Sequence, residues 1–174
     1  MATNIPSTPA DGNIRTVLVP TVADRSAPTL AEVNAASAVD ISCYLTSGGF
    51  AYSTDQATIV DERECTTEVF GQPGRKTRTL SITGIDNTNN AAVETAYNEL
   101  AEILVEGQEI VAIRRRGKAF DAAFAVGDKV SVIPFKPGVK SEVAAEANSV
   151  TRSMWAAFIT GDAPTDVEIV AGTP

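Results

Sequence analysis

Apolar residues in this chain come in short runs, and a single stretch spaces them for a helix. The runs at residues 109–115, 130–135, 150–160 and 167–170 are rich in Val, Ile and Ala. Gly127-Asp128, Pro137-Gly138 and Gly161-Asp162 separate them. Short apolar runs punctuated by Gly, Pro and Asp build sheets rather than helical bundles. The run at 109–115 is apolar on both faces through Ile110, Val111, Ala112 and Ile113, which places it centrally in a sheet. The exception is residues 91–106. Asn90 can cap a helix there and Gly107 can end it. Val93, Ala96, Tyr97, Leu100, Ile103 and Leu104 fall on one face at three- and four-residue spacing. The expected fold is therefore α+β: a mostly antiparallel β-sandwich or barrel-like domain with one flanking helix.

Length and punctuation suggest the organisation. A chain of 174 residues suits one domain, here residues 29–174, preceded by an extended arm at 1–28. Pro6, Pro9, Pro20 and Pro28 punctuate that arm. Within it, Arg15-Thr16-Val17-Leu18-Val19 reads as a strand that must find a sheet edge on its own domain or on a neighbour. Thr29 followed by Glu32 is a capping-box pattern, predicting a short helix to about residue 36. Residues 41–45 read as a strand, Ser47-Gly48-Gly49 as a turn and residues 50–53 as the return strand.

Composition narrows function. The chain has no histidine, which removes the commonest general base, the commonest metal ligand and the Ser-His-Asp triad. The formal charge of -8 opposes a general duplex-binding surface, because phosphate contacts need clustered Lys and Arg. No apolar run approaches the roughly 20 residues of a membrane-spanning helix. Cys43 and Cys65 read as reduced core thiols, and two cysteines without histidine make a poor metal site. No nucleotide-binding fingerprint is present. No cofactor, metal site, catalytic residue or membrane association is therefore expected.

Residues 62–83 carry the most informative pattern. A hairpin turning at Gly71-Gln72-Pro73-Gly74 would set Glu68 opposite Thr77, Glu64 opposite Ser81 and Glu62 opposite Thr83. Alternation then collects Glu62, Glu64, Glu68, Thr79, Ser81 and Thr83 on one polar face, with Cys65, Val69, Leu80 and Ile82 on the other. A carboxylate ladder of that kind must face bulk solvent or a wide aqueous channel. Arg114-Arg115-Arg116-Gly117-Lys118 is a basic run at a strand end, read as a solvated tip or a partner for a neighbour's acids. Glu62 and Glu64 as an acid-base pair lack a pocket, and one Trp with three Tyr is a thin supply for a sugar-binding module.

The ordered cues Asp40-Ile41-Ser42, Gly49-Phe50, residues 61–65, residues 70–75, the helix, residues 121–128, residues 146–150 and residues 158–161 form a series. Over residues 40–170 that series resembles the major tail tube proteins of long-tailed, siphovirus-type bacteriophages, in particular those of actinobacterial hosts. The resemblance implies a structural virion protein, assembled in the host cytoplasm, whose six-membered rings stack into a hollow tail tube. It implies partners in further copies of itself and in tape-measure, tail terminator and distal tail proteins, with DNA passing through without specific binding. It gives the polar hairpin face a place: Glu62, Glu64, Glu68, Thr79, Ser81 and Thr83 would line an acidic lumen. Arg15, Val17, Val19, Arg114, Arg115 and Arg116 would make contacts between subunits or rings. The alternative within the same fold is a tail terminator or distal tail protein.

Overall fold

The run that is apolar on both faces takes the interior place its composition demands. In the computed structural model, which describes residues 5–91 and 94–172, β5 (Ile110–Arg116) lies between β1 (Ile14–Val19) and β6 (Lys129–Glu142), antiparallel to both. β2 (Val39–Asp40) flanks β1. On the other side the sheet continues through β7 (Arg152–Ile159), β4 (Phe70–Ile85) and the edge strand β3 (Leu45–Asp61), while β8 (Val167–Glu168) pairs with β6. The described residues thus form one eight-stranded antiparallel sheet curled into a half-barrel.

Strand alternation gives the sheet two cores. Leu18, Ala112, Ile133, Trp155, Ile82 and Phe50 fill the inside of the curl. Val17, Val19, Val111, Ile113, Val130 and Val132 pack outward beneath Val33, Phe124 and Ile169. Within the segment expected as an arm at residues 1–28, residues 14–19 belong to the sheet. β1 finds its edge on its own domain, and Val17, Leu18 and Val19 are buried. Three successive apolar residues cover both faces of a strand, which suits an interior position better than a tether. Residues 5–12, by contrast, are exposed or nearly so.

The capping box forms as read. Thr29 starts α1 (Leu30–Val33), its hydroxyl accepting from the Glu32 N–H at 3.2 Å while the Glu32 carboxylate accepts from the Thr29 N–H at 2.8 Å. The helix expected over 91–106 is instead two short pieces, α2 (Glu94–Tyr97) and α3 (Glu99–Ile103). Asn98 divides them. Its buried side-chain oxygen accepts the Asn87 N–H at 3.0 Å, and its backbone leaves the helical region. A short polar side chain that bonds a distant backbone group competes with helix continuation. Leu100 and Leu104 are buried against the half-barrel core as the spacing requires, whereas Tyr97 is exposed. Val93 and the side chain of Ala96 lie outside the described residues.

Ser47-Gly48-Gly49 is not a turn. It lies inside β3, where the register with β4 shifts between Leu45 and Phe50. Gly49 is required there: a Cβ would collide with the Thr83 carbonyl oxygen of the paired strand. Gly49→Ala is expected to destabilise the fold by about 1–3 kcal/mol, because strand backbone rather than a flexible side chain must move. Urea unfolding of the two proteins checks it. Pro137-Gly138 likewise lies at a register shift within β6 rather than between strands. The cysteines differ from expectation too: Cys43 and Cys65 are free but exposed.

Candidate assembly surfaces

β3 and β4 outrun the sheet that holds them. β7 pairs with β4 only from Leu80 to Ile85. Beyond that, residues 53–61 and 70–79 pair only with each other, and none of them is buried. Residues 62–69 close this ribbon at its tip. Ile59, Val60, Val69 and Phe70 are each more than half exposed near that tip.

The ribbon corrects the expected hairpin. The chain reverses at residues 62–69, not at Gly71–Gly74. Gly71 and Gly74 sit within β4, where their missing side chains admit Thr58 Cγ2 and the Ala57 carbonyl oxygen. Thr79 therefore pairs with Ser53, their hydroxyls 2.8 Å apart, and Ser81 pairs with Ala51. Glu62, Glu64 and Glu68 do not form a ladder beside the hydroxyls. They are exposed in the tip loop. Arg63 in the same loop folds back onto Asp61 through bonds of 3.0 and 2.8 Å.

Thr79, Ser81 and Thr83 keep the shared face that alternation predicted. They lie between Ala51 and Ser53 on β3 and Met154 and Ala156 on β7, with Phe158 further along. The reverse side of these strands carries the buried Leu80, Ile82, Trp155 and Ala157. The side chains named on the outer face are uncharged and Phe158 is 65% exposed, and the exposed Lys136 of β6, opposite Phe158, borders them on the same face. The outer core of β1, β5 and β6 does not extend over this part of the sheet.

The three arginines of β5 part company because successive strand residues point to opposite faces. Arg115 points outward into the core beneath residues 119–128 and is 1% exposed. Its guanidinium donates to the carbonyls of Ala119, Ala122 and Ala123 at 2.7–2.9 Å and to Asp128 at 2.9 Å. Lys118 also pairs with Asp128. Burial alone would raise the Asp128 carboxyl, but hydrogen bonds from Lys118, Arg115 and the Ala125 N–H outweigh it and hold the group below its ordinary range. Arg15 is engaged nearby, with Asp40 at 2.8 Å and the Ala122 carbonyl at 3.0 Å. Both guanidinium groups pack on the Phe124 ring, at 5.0 Å for Arg15 and 4.9 Å for Arg115. Arg15, Val17, Val19 and Arg115 are thus engaged within their own subunit. The alternation of 114, 115 and 116 with Val111 and Ile113 held the signal for Arg115.

Arg114 and Arg116 point the other way, to the mouth of the half-barrel. There they line a cleft with Phe50, Tyr52, Ser131 and Thr165. Lys129 borders the same region beside Arg114, Arg116 and Ser131. Arg114 lies 4.6 Å over the Phe50 ring. At the far end of the sheet, Asp86 ties β4 to β6 and β7. It accepts from Lys140 and Ser153, both at 2.5 Å, and its carboxyl is held below the usual range because these bonds and those from Thr88 outweigh its burial.

Together these surfaces describe a subunit with a sheet face of mostly small uncharged side chains, a projecting ribbon and a basic mouth. The protein-family model described as "Phage tail tube protein" matches residues 1–172. Among solved structures the chain is similar to one in the 6-fold symmetrised cryo-EM structure of the anti-feeding prophage baseplate. Identity is 10%, coverage is 94% of this chain and 96% of that chain, and the TM-score is 0.46. A search of curated proteins returned no match. The family match spans nearly the whole chain, and on that ground the protein belongs to the phage tail tube protein family.

Proposed function

We propose that this protein is the repeating subunit of a phage tail tube, forming six-membered rings that stack around a bore through which DNA passes. The observation that carries this reading is the β3–β4 ribbon. A two-stranded ribbon exposed on both sides is marginal by itself in water. One that also exposes Ile59, Val60, Val69 and Phe70 is explained by burial against another copy. A repeating contact between a projecting element and a different surface is heterologous, and such contacts close into rings within a layer or build an open-ended polymer between layers. Further partners in this reading are the tape-measure, terminator and distal tail proteins, and the role is structural rather than catalytic.

The bare face of β3, β4 and β7 is the surface this reading assigns to the bore. Small hydroxyls and methyls at Thr79, Ser81, Thr83, Ala51, Ser53 and Ala156 offer phosphate no ion pair and offer bases little to stack on. DNA would slide over these small side chains because none of them holds a phosphate, with Lys136 only at the border of the patch opposite Phe158. The glutamates have no part in this lining. Ser81→Lys with Thr83→Lys is expected to leave tubes intact and to slow DNA ejection from virions severalfold, more at low salt than at high salt. Ejection kinetics identical to wild type would remove the bore assignment.

Negative-stain microscopy of the purified protein tests the function itself. Long tubes of uniform diameter are the expected result. A single stable ring would favour the tail terminator or distal tail reading. Monomers at every concentration and salt would overturn the assembly role.

A further inference from the structure

We propose, resting on the tube reading above, that the acidic tip of the ribbon in one copy docks at the basic mouth of the half-barrel in the next. The mouth gathers Arg114, Arg116 and Lys129 against a single acid, Asp166, at its border. Among the described residues none of these three cations has an ion-pair partner. Arg114 Nη1 is buried with no hydrogen-bond partner while its guanidinium is held over Phe50. A buried donor without an acceptor is costly, and the cleft that Arg114 lines beside two more cations invites an anion.

The tip supplies that anion. Glu62, Glu64 and Glu68 are exposed in residues 62–69 and, among the described residues, none of them forms an ion pair. Arg63, the loop's own cation, is turned back onto Asp61, so the tip presents three carboxylates to the mouth's three cations. Reach determines which copy is engaged. Tyr52, at the root of the ribbon, lines its own mouth. The tip lies nine strand steps further on, roughly 30 Å at about 3.3 Å per residue. Its own mouth is therefore out of range, while the mouth of an adjacent copy is not. The tip and the mouth are different surfaces of one chain, so the contact propagates from copy to copy.

The test uses charge reversal on exposed side chains in the full-length protein. The tip variant is E62K/E64K/E68K and the mouth variant is R116E/K129E, with Arg114 left in place. Each alone brings like charges together and is expected to cut the polymerised fraction at least tenfold in sedimentation at low salt, with wild-type melting. A one-to-one mixture of the two should co-assemble, and a chain carrying both sets should polymerise by itself, each to within about twofold of wild type. Neutral versions, E62Q/E64Q/E68Q and R116Q/K129Q, serve if a reversal impairs folding. They should weaken polymerisation and flatten its salt dependence. Variants that polymerise like wild type would overturn the proposal, and would leave the mouth to another anion such as DNA phosphate. So would two defective variants whose mixture stays unassembled. Wild-type protein that never polymerises would instead remove the tube reading itself, and the docking with it.

Discussion

Arg115→Met is expected to lower the free energy of unfolding by about 3–5 kcal/mol, the cost of removing one partner from a buried ion pair. Asp128 is 2% exposed at its side chain and Arg115 1%. Without the guanidinium, Asp128 keeps only Lys118, whose side chain is 58% exposed, and the Ala125 N–H. The carbonyls of Ala119 and Ala123 lose their side-chain donor and that of Ala122 keeps only Arg15, which loosens residues 117–128 over the outer core. Domains of this size are stable by about 5–15 kcal/mol in total, so the variant should melt many degrees lower. Arg115→Met combined with Asp128→Leu removes the charge left behind and is expected to recover a large part of the loss. Thermal and urea unfolding of the single and double variants check both statements. A single variant that loses under 1 kcal/mol would show that the loop is held by its apolar contacts alone.

The same pair makes stability depend on pH with a definite sign. The Asp128 carboxyl is lowered in the folded state, burial opposing and the hydrogen bonds prevailing. Its contribution is fully present above the unfolded carboxyl value of about 3.9 and is lost as pH falls through the lower folded value. In Arg115→Met one of the lowering bonds is gone. The acid-induced loss of stability through this group should therefore be smaller than in wild type and end at a higher pH, while still beginning near the same unfolded value.

Features legible in the sequence were those that one strand or one turn settles locally. Ile110 to Ile113 required two covered faces, and β5 has them. The Thr29–Glu32 box needs only four residues, and it formed. Thr79, Ser81 and Thr83 share a face whatever strand pairs with theirs, because alternation along a single strand does not depend on register. Pairing itself was not legible. Residues 51–61 show no buried face, since the ribbon has no core beneath it, so the long β3 left no hydrophobic alternation to be read. With its true partner hidden, β4 could be paired only with residues 62–69, and that misplaced every glutamate. Glycine and proline misled in a consistent way. At Ser47–Gly49 and Pro137–Gly138 they accompany register shifts, and at Gly71–Gly74 they admit a closely approaching strand. In long curved strands such residues mark bulges and close contacts as readily as turns. The helix broke at Asn98 because its partner, the Asn87 N–H, lies eleven residues away, where helical periodicity carries no information.

Removal of the ribbon should separate folding from assembly. Deleting residues 55–77 and joining Thr54 to Arg78 through Asn-Gly gives a two-residue hairpin of the favoured kind. The cut removes no buried side chain and keeps the Arg78–Asp162 pair. It also keeps the pairing of β4 with β7. The shortened subunit is therefore expected to unfold within about 1 kcal/mol of wild type, since a shorter loop changes closure entropy little. Assembly should respond very differently. Ile59, Val60, Val69 and Phe70 each still expose more than half their surface. Burying what remains exposed of four such side chains contributes roughly 1 kcal/mol each, or about 4 kcal/mol per copy. At 1.4 kcal/mol per tenfold, that is about a thousandfold in the concentration needed to polymerise. Loss of the glutamate tip would add to it. At concentrations where wild type forms tubes, the truncated protein should sediment as unpolymerised species with a near wild-type melting curve. Tubes of normal length from the truncated chain would mean that the ring and stack contacts lie on the sheet itself. The exposed apolar residues of the ribbon would then lack the covering copy that the tube reading gives them.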